Sequence, residues 1–216
     1  MIRLFVWFVK LTAWPVAWVA LHTKCYFEDR RVQGRHIRGK AIVASNHRSV
    51  WDVAVMMFAF PLRTLRCVIA EIMFKKNFVF TLFLYAIGGI KVDRNTHDFG
   101  FINKAKRVLS RGGVIEIYPE SRLPRPGEEM PLEFKPSVIY LALESGAPII
   151  PVYTNGNCFR KARNKIMIGK PFNVLDYYDS ELTEKENIAN ITELLRQRII
   201  DLGKQLEERE KDEASR

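Results

Sequence analysis

Residues 41–60, AIVASNHRSVWDVAVMMFAF, decide the fold: five small or β-favouring residues, a polar break at Asn46-His47-Arg48-Ser49, then an apolar run to Phe60. The first five predict a buried strand. Ser49 and Asp52 stand in an S-x-x-D capping pattern, which predicts a helix from Ser49 toward Phe60. The alternation repeats outward: CVIA, an apolar helical stretch, then IKVD. Residues 98–110 place Ile102, Ala105, Val108 and Leu109 on one helical face before Gly112 and Gly113 stop it, and VIEIY resumes as a strand. Residues 137–145 form another helical stretch closed by Gly146, ahead of PIIPVY and KIMIG. Strands separated by helices predict an α/β class fold, a single domain with a mostly parallel or mixed sheet flanked by helices.

The flanks differ from this body. Residues 2–21, IRLFVWFVKLTAWPVAWVAL, carry three tryptophans and are interrupted only by Arg3, Lys10, Thr12 and Pro15. About 20 apolar residues span a bilayer, but Lys10 at the midpoint would cost a centred span roughly 2.5–3.5 kcal/mol. Tryptophan favours the headgroup region, so an N-terminal membrane-associating helical segment lying in the interface competes with a spanning one, and a buried core helix is the third reading. A cleaved signal peptide fits less well, because no A-x-A site precedes the basic run. That run, Lys24, Arg30, Arg31, Arg35, Arg38 and Lys40, suits the anionic cytoplasmic leaflet and predicts a membrane-associated protein with its body on the cytoplasmic side. At the other end Thr183 and Glu186 form a capping box before Ile188, Ile191, Leu195, Ile199, Leu202 and Leu206 at helical spacing, with the charged residues 211–216 expected to fray. The expected organisation is 1–37 as membrane-associating segment and basic linker, 38–180 as the α/β domain, and 181–216 as amphipathic helix and tail.

Length and composition bound the function. The 216 residues suffice for one core, and 48% hydrophobic with 27% charged residues, interspersed, exclude collagen-like, disordered and polytopic membrane classes. Cys25, Cys67 and Cys158 lie far apart without C-x-x-C spacing, which supports neither a disulfide scaffold nor a zinc ribbon. The net charge is +10, but residues 1–175 carry +15 and residues 176–216 carry −5, so the body attracts anions: phosphorylated ligands, anionic lipid or nucleic acid. No nucleic-acid motif is present, and the Trp-rich N-terminus favours lipid; a noncatalytic basic binding protein is the alternative from another class.

Chemistry concentrates beside the deciding stretch. A carboxylate at Asp52 can reach back to one imidazole nitrogen of His47, leaving the other to take a proton from a hydroxyl; the bland alternative is that Asp52 only caps a helix. Three further stretches fall at strand ends, where α/β sheets bind ligands: residues 88–94 (GGIKVDR), 118–122 (YPESR) and 148–152 (PIIPV). Arg94 and Arg122 have the forked geometry that suits phosphate, though each is equally readable as solvated surface, as Glu120 is as a local cap. His22, His36, His47 and His97 show no metal-ligand spacing, so no metal is expected.

In order, these four stretches resemble the 1-acylglycerol-3-phosphate acyltransferase family of glycerolipid acyltransferases, over roughly residues 38–175. The family's Asn-His-x4-Asp motif is met by Asn46, His47 and Asp52, its glycine-led strand by residues 88–94, and its proline-flanked strand by Pro148, Pro151 and their neighbours. The third pattern, Phe-Pro-Glu-Gly-Thr-Arg, is met at Tyr118, Pro119 and Glu120, but Ser121 stands for Gly, Arg122 for Thr and Leu123 for Arg. The resemblance implies acyl transfer from a thioester, acyl-CoA or acyl carrier protein, to the free hydroxyl of lysophosphatidic acid, giving phosphatidic acid, with no cofactor and no covalent enzyme intermediate. It implies His47 as base and Asp52 as its partner, with Arg94, Glu120 and Arg122 at the acceptor phosphate. Asn46, Ser49, Gly88, Ser121, Arg125 and Pro151 are supporting candidates. The altered third motif leaves another lysophospholipid or lyso-lipid acceptor open. Membrane lipids are the expected partners, and nucleic acid is not.

Overall fold

The computed structural model describes residues 1–93, 100–128, 130–159 and 162–215. In chain order they form α1 (Ile2–Ala20), β1 (Thr23–Phe27), β2 (Ala41–Ser45), α2 (Asp52–Ala59), β3 (Leu65–Ala70), a 3-10 turn (Glu71–Lys75) and α3 (Phe78–Ala86). They continue with β4 (Ile90–Val92), α4 (Gly100–Ser110), β5 (Val114–Ile117), α5 (Ser137–Ser145), β6 (Ile149–Thr154), β7 (Asn164–Ile168), a second 3-10 turn (Val174–Tyr177) and α6 (Glu184–Ala214).

The seven strands make one sheet in the order β1-β7-β6-β2-β5-β3-β4, parallel throughout except where β6 meets β7. The expected mixed α/β domain is therefore present. β2 lies at its centre, and all five of its residues are buried. Its side chains alternate: Ile42 and Ala44 join a core with α4, α5 and α6, whereas Ala41 and Val43 join a second with Val55, Met56 and Phe60 around α2. A strand covered on both faces favours apolar residues on both, which is why AIVAS carries no period-2 polarity.

Three boundaries differ from the sequence reading. Residues expected to be basic linker contain β1, an edge strand on β7, and its Lys24 is ion-paired to Glu213 at 2.8 Å. Tyr26 donates its hydroxyl to the same carboxylate at 2.8 Å. Those contacts keep α6 helical through Ala214, where fraying was expected, while its capping box at Thr183 and Glu186 forms as the spacing predicts. The third difference is at α2, which starts at Asp52 with Trp51 as N-cap, so Ser49 does not cap it. Asp52 instead draws the Arg48 and Ser49 amides to Oδ2 at 2.8 Å each, folding residues 48–51 into a turn ahead of the helix.

The N-terminal helix is long and apolar enough to cross a membrane, and only 11% of that window is buried within the fold, so it is not a core helix. One narrow face packs. Val6 joins a small cluster with Phe74 and Leu84 near α3, and Lys10, the charge that counts against a centred span, points inward. Its ammonium donates to the carbonyls of Phe60 (3.0 Å), Pro61 (3.0 Å) and Arg63 (2.6 Å), just past the end of α2. That is where helix carbonyls lack partners and a cation is favoured. Leu4, Phe8, Leu11, Trp18 and Val19 face outward. Ile72, Phe78, Val79, Leu82 and Tyr85 in residues 72–89 are also exposed, and Leu84 is the fully packed residue of α3.

Candidate active site

The site lies at the carboxyl ends of β2, β5 and β3. Asn46, directly after β2, is buried and bridges to β6: its amide donates to the Thr154 carbonyl (2.9 Å) while its oxygen accepts the Thr154 amide (2.8 Å). This reciprocal pair fixes the loop that follows. The next residue, His47, places Nδ1 3.0 Å from Oδ2 of Asp52, whose side chain is fully buried. Oδ2 thus receives three donors, the imidazole and the Arg48 and Ser49 amides. With Nδ1 held there, Nε2 is the nitrogen free to act in the cavity that His47 lines.

The third motif braces the same imidazole from behind. Glu120, almost fully buried, accepts the His47 amide on Oε1 (2.8 Å) and the Leu132 amide on Oε2 (3.0 Å). Burial raises its carboxyl above the ordinary value, and those two amides oppose the rise. The Tyr118 ring stacks on His47, centroids 4.3 Å apart and planes inclined by 26°. Its hydroxyl donates to Glu116, a glutamate inside β5 that the sequence reading passed over as part of a strand. Burial pushes the Glu116 carboxyl from 4.5 up to about 8, with the Asp52 charge adding to the rise and the Tyr118 hydroxyl and Lys10 opposing it. At neutral pH Glu116 is therefore protonated. A carboxyl raised this way contributes stability that is whole below the ordinary carboxylate range and is lost between about pH 4.5 and about 8. We expect Glu116→Gln to flatten that decline, by on the order of a few kcal/mol across the window, measured as denaturant midpoints at pH 5 and pH 8.5.

The cavity before His47 holds about 410 Å³ and is walled by Val53, Val68, Ile69, Val92, Phe101 and neighbours from β3 and β4. Polar residues line it as well: Ser121, Arg122, Lys135 and Ser137. Lys135 was not singled out from sequence; its ammonium has no partner among the described residues. Arg122 is engaged, its guanidinium gripping both oxygens of Glu128 at 2.7 and 2.8 Å. That grip and the Arg125 amide hold the Glu128 carboxyl down at about 2. Ser121 has φ +62°, the left-handed region where the family pattern carries Gly.

The remaining candidates have structural places. Arg125 is exposed and reaches Glu128 through its backbone. Gly88 has φ +85°, and a Cβ there would lie 2.2 Å from the Arg66 side chain, which donates to the Gly88 carbonyl. Pro151 is buried in β6, and its carbonyl accepts the Gly169 amide. Ser49 accepts the Trp51 amide at 3.2 Å. Arg94 lies outside the described residues.

Residues 29–155 match the family model described as Acyltransferase. Over 131 residues the chain is 30% identical to a 1-acyl-sn-glycerol-3-phosphate acyltransferase of Bacillus subtilis, spanning 58% of this chain and 63% of that protein. It is 25% identical to the human 1-acyl-sn-glycerol-3-phosphate acyltransferase beta over 126 residues, 57% of this chain and 45% of the human one. The crystal structure of the 1-acyl-sn-glycerophosphate acyltransferase PlsC from Thermotoga maritima superposes with a TM-score of 0.64 at 18% identity, covering 94% of this chain and 79% of that one, and so shares the fold.

Proposed function

Because the chain belongs to the acyltransferase family, we propose that it moves an acyl group from a thioester, acyl-CoA or acyl carrier protein, to the free hydroxyl of 1-acyl-glycerol 3-phosphate, giving phosphatidic acid. The observation that carries the reading is the His47–Asp52 pair at 3.0 Å, set at the mouth of an apolar cavity inside the family-matched segment. Nε2 of His47 takes the acceptor proton as its oxygen attacks the thioester carbonyl. The tetrahedral intermediate collapses with loss of the thiolate, and the imidazolium returns the proton to that sulfur. Asp52 keeps Nδ1 protonated and stabilises the transient cation. No serine or cysteine need be acylated. The apolar wall suits an acyl chain, and Lys135 with Arg122 suits the anionic end of the acceptor.

The engaged Arg122 favours one further reading, the same chemistry on a different lysophospholipid. Both are tested by offering purified protein labelled acyl-CoA and acyl carrier protein with a panel of lysophospholipids. Product from lysophosphatidic acid is expected, and no product from any acceptor would overturn the proposal. Glu128→Gln, which frees the Arg122 fork, is expected to lower KM for the phosphate-bearing acceptor by about three- to fivefold with kcat unchanged.

The outer face of α1 lies in the membrane interface, on the cytoplasmic side in this reading, with the basic segment of residues 24–40 near the headgroups. Combining Leu4→Gln, Phe8→Gln and Leu11→Gln is expected to weaken vesicle binding at least about a hundredfold in sedimentation assays, since burying each such side chain is worth roughly 1.5–3 kcal/mol. Deleting the helix would be a poorer test, because Val6 and Lys10 belong to the folded body.

A further inference from the structure

A second cavity, of about 450 Å³, lies between the C-terminal half of α1 and the body, and it shares no lining residue with the cavity at His47. The two flank opposite ends of α2: Val53 borders the first, Phe58 and Ala59 the second. Its volume is in the range of about 300–1,000 Å³ typical of small-molecule sites. Trp14, Ala17 and Phe58 form apolar wall, with the Trp14 ring edge-on to Phe58 at 6.0 Å. Three basic residues, His22, Arg35 and Arg163, also line it, and none of the described lining residues is acidic.

The arginines are not equivalent. Arg35 is held in place by donating Nε to the Ala59 carbonyl (2.8 Å) and Nη2 to the Phe58 carbonyl (2.7 Å), while its Nη1 has no hydrogen bond among the described residues. Arg163 is exposed, and its guanidinium has no partner among the described residues. His22 closes α1 with φ +40°, turning the chain from the helix into β1 at the rim. A fixed guanidinium with an unspent donor, a free guanidinium and an imidazole beside an aromatic wall suit a phosphate with an attached hydrocarbon chain. The wall is continuous with Trp18 and Val19 on the outward face of α1.

We propose that this cleft binds one bilayer phospholipid with an anionic headgroup, its phosphate on Arg35 and Arg163 and its acyl chain along Trp14, Ala17 and Phe58. The proposal rests on the interfacial placement of α1. It makes that helix more than an anchor, because the lipid fills the seam between the helix and the body.

The test is native mass spectrometry of the full chain released from detergent micelles doped with equal amounts of dioleoylphosphatidylglycerol and dioleoylphosphatidylcholine. One retained phosphatidylglycerol is expected, with a preference that drops about fivefold for each of Arg35→Gln and Arg163→Gln. Ala17→Trp, which fills the cleft, is expected to lose the retained lipid yet still sediment with phosphatidylglycerol-containing vesicles, because the outer face of α1 is intact. Failure of the wild type to retain lipid, equal retention of the two lipids, or retention unchanged in both Arg163→Gln and Ala17→Trp would overturn the proposal. So would displacement of the lipid by inorganic phosphate alone, since that would place the affinity in the anion rather than the lipid. Loss of vesicle sedimentation by the wild type would instead overturn the interfacial placement of α1, and micelle retention would still judge the cleft.

Discussion

His47→Ala is expected to lower kcat for acyl transfer by about 10²–10⁴-fold, the usual worth of a positioned general base, with vesicle binding retained. The geometry makes the loss specific. His47 is held by three independent contacts: Nδ1 on Asp52, its amide on Glu120, and its ring on Tyr118. Alanine keeps the amide contact and removes only the proton carrier, so folding should persist while chemistry fails. Asp52→Asn should cost a comparable factor by a different route. The amide keeps nearly the shape of the carboxylate and one acceptor for the loop amides, but it removes the charge that stabilises the imidazolium and the fixed preference for a proton on Nδ1. If either variant retained wild-type kcat across the acceptor panel, the His47–Asp52 pair would be a loop brace and not the reactive centre.

Glu120→Ala is expected to reduce kcat by roughly a hundredfold, the scale of an approximately 1 Å misplacement of a catalytic group. Glu120 need touch no substrate for this. Its two oxygens tie the His47 amide to the Leu132 amide, so one carboxylate spans the loop after β2 and the segment leading into α5. Removing it leaves two inward amides unpaired and frees the histidine loop from the segment that brings Lys135 to the cavity. Glu120→Gln keeps one carbonyl acceptor and should recover part of the rate. A hundredfold change confined to KM, with kcat intact, would instead place Glu120 at the acceptor and not behind the base.

Much of this was legible in the chain because the signals are local. Alternating strand and helix patterns gave the α/β class, and only four residues stand between His47 and Asp52, a spacing short enough for sequence alone to suggest their contact. Gly146 ends α5 with φ +57°, as a helix-stopping glycine should. What stayed hidden depends on long-range partners. Nothing in TKCYF distinguishes an edge strand from a linker until β7, some 140 residues later, pairs with it. Lys135 belongs to the site only because the segment before α5 returns across the end of the sheet. Glu116 is the case that could have been caught: a glutamate flanked by Val114, Ile115 and Ile117 in a strand buried on both faces is an anomaly in the sequence itself. Ser49 misled because an S-x-x-D pattern describes a cap equally well whether the serine or the aspartate organises the turn.

If α1 lies in the membrane interface as proposed, the placement of Lys10 ties membrane affinity to the native state. An isolated α1 displays that ammonium on its surface, where insertion would drag a charge toward hydrocarbon. In the folded protein the charge is taken up by three backbone carbonyls beyond α2, and burial lowers its pKa from 10.5 to about 8. The amphiphile that this placement would offer to lipid is thus assembled by the domain and is absent from the helix alone. By mass action, a bilayer that bound only this assembled surface would also stabilise the domain behind it, so the vesicle-bound protein should outlast the free one.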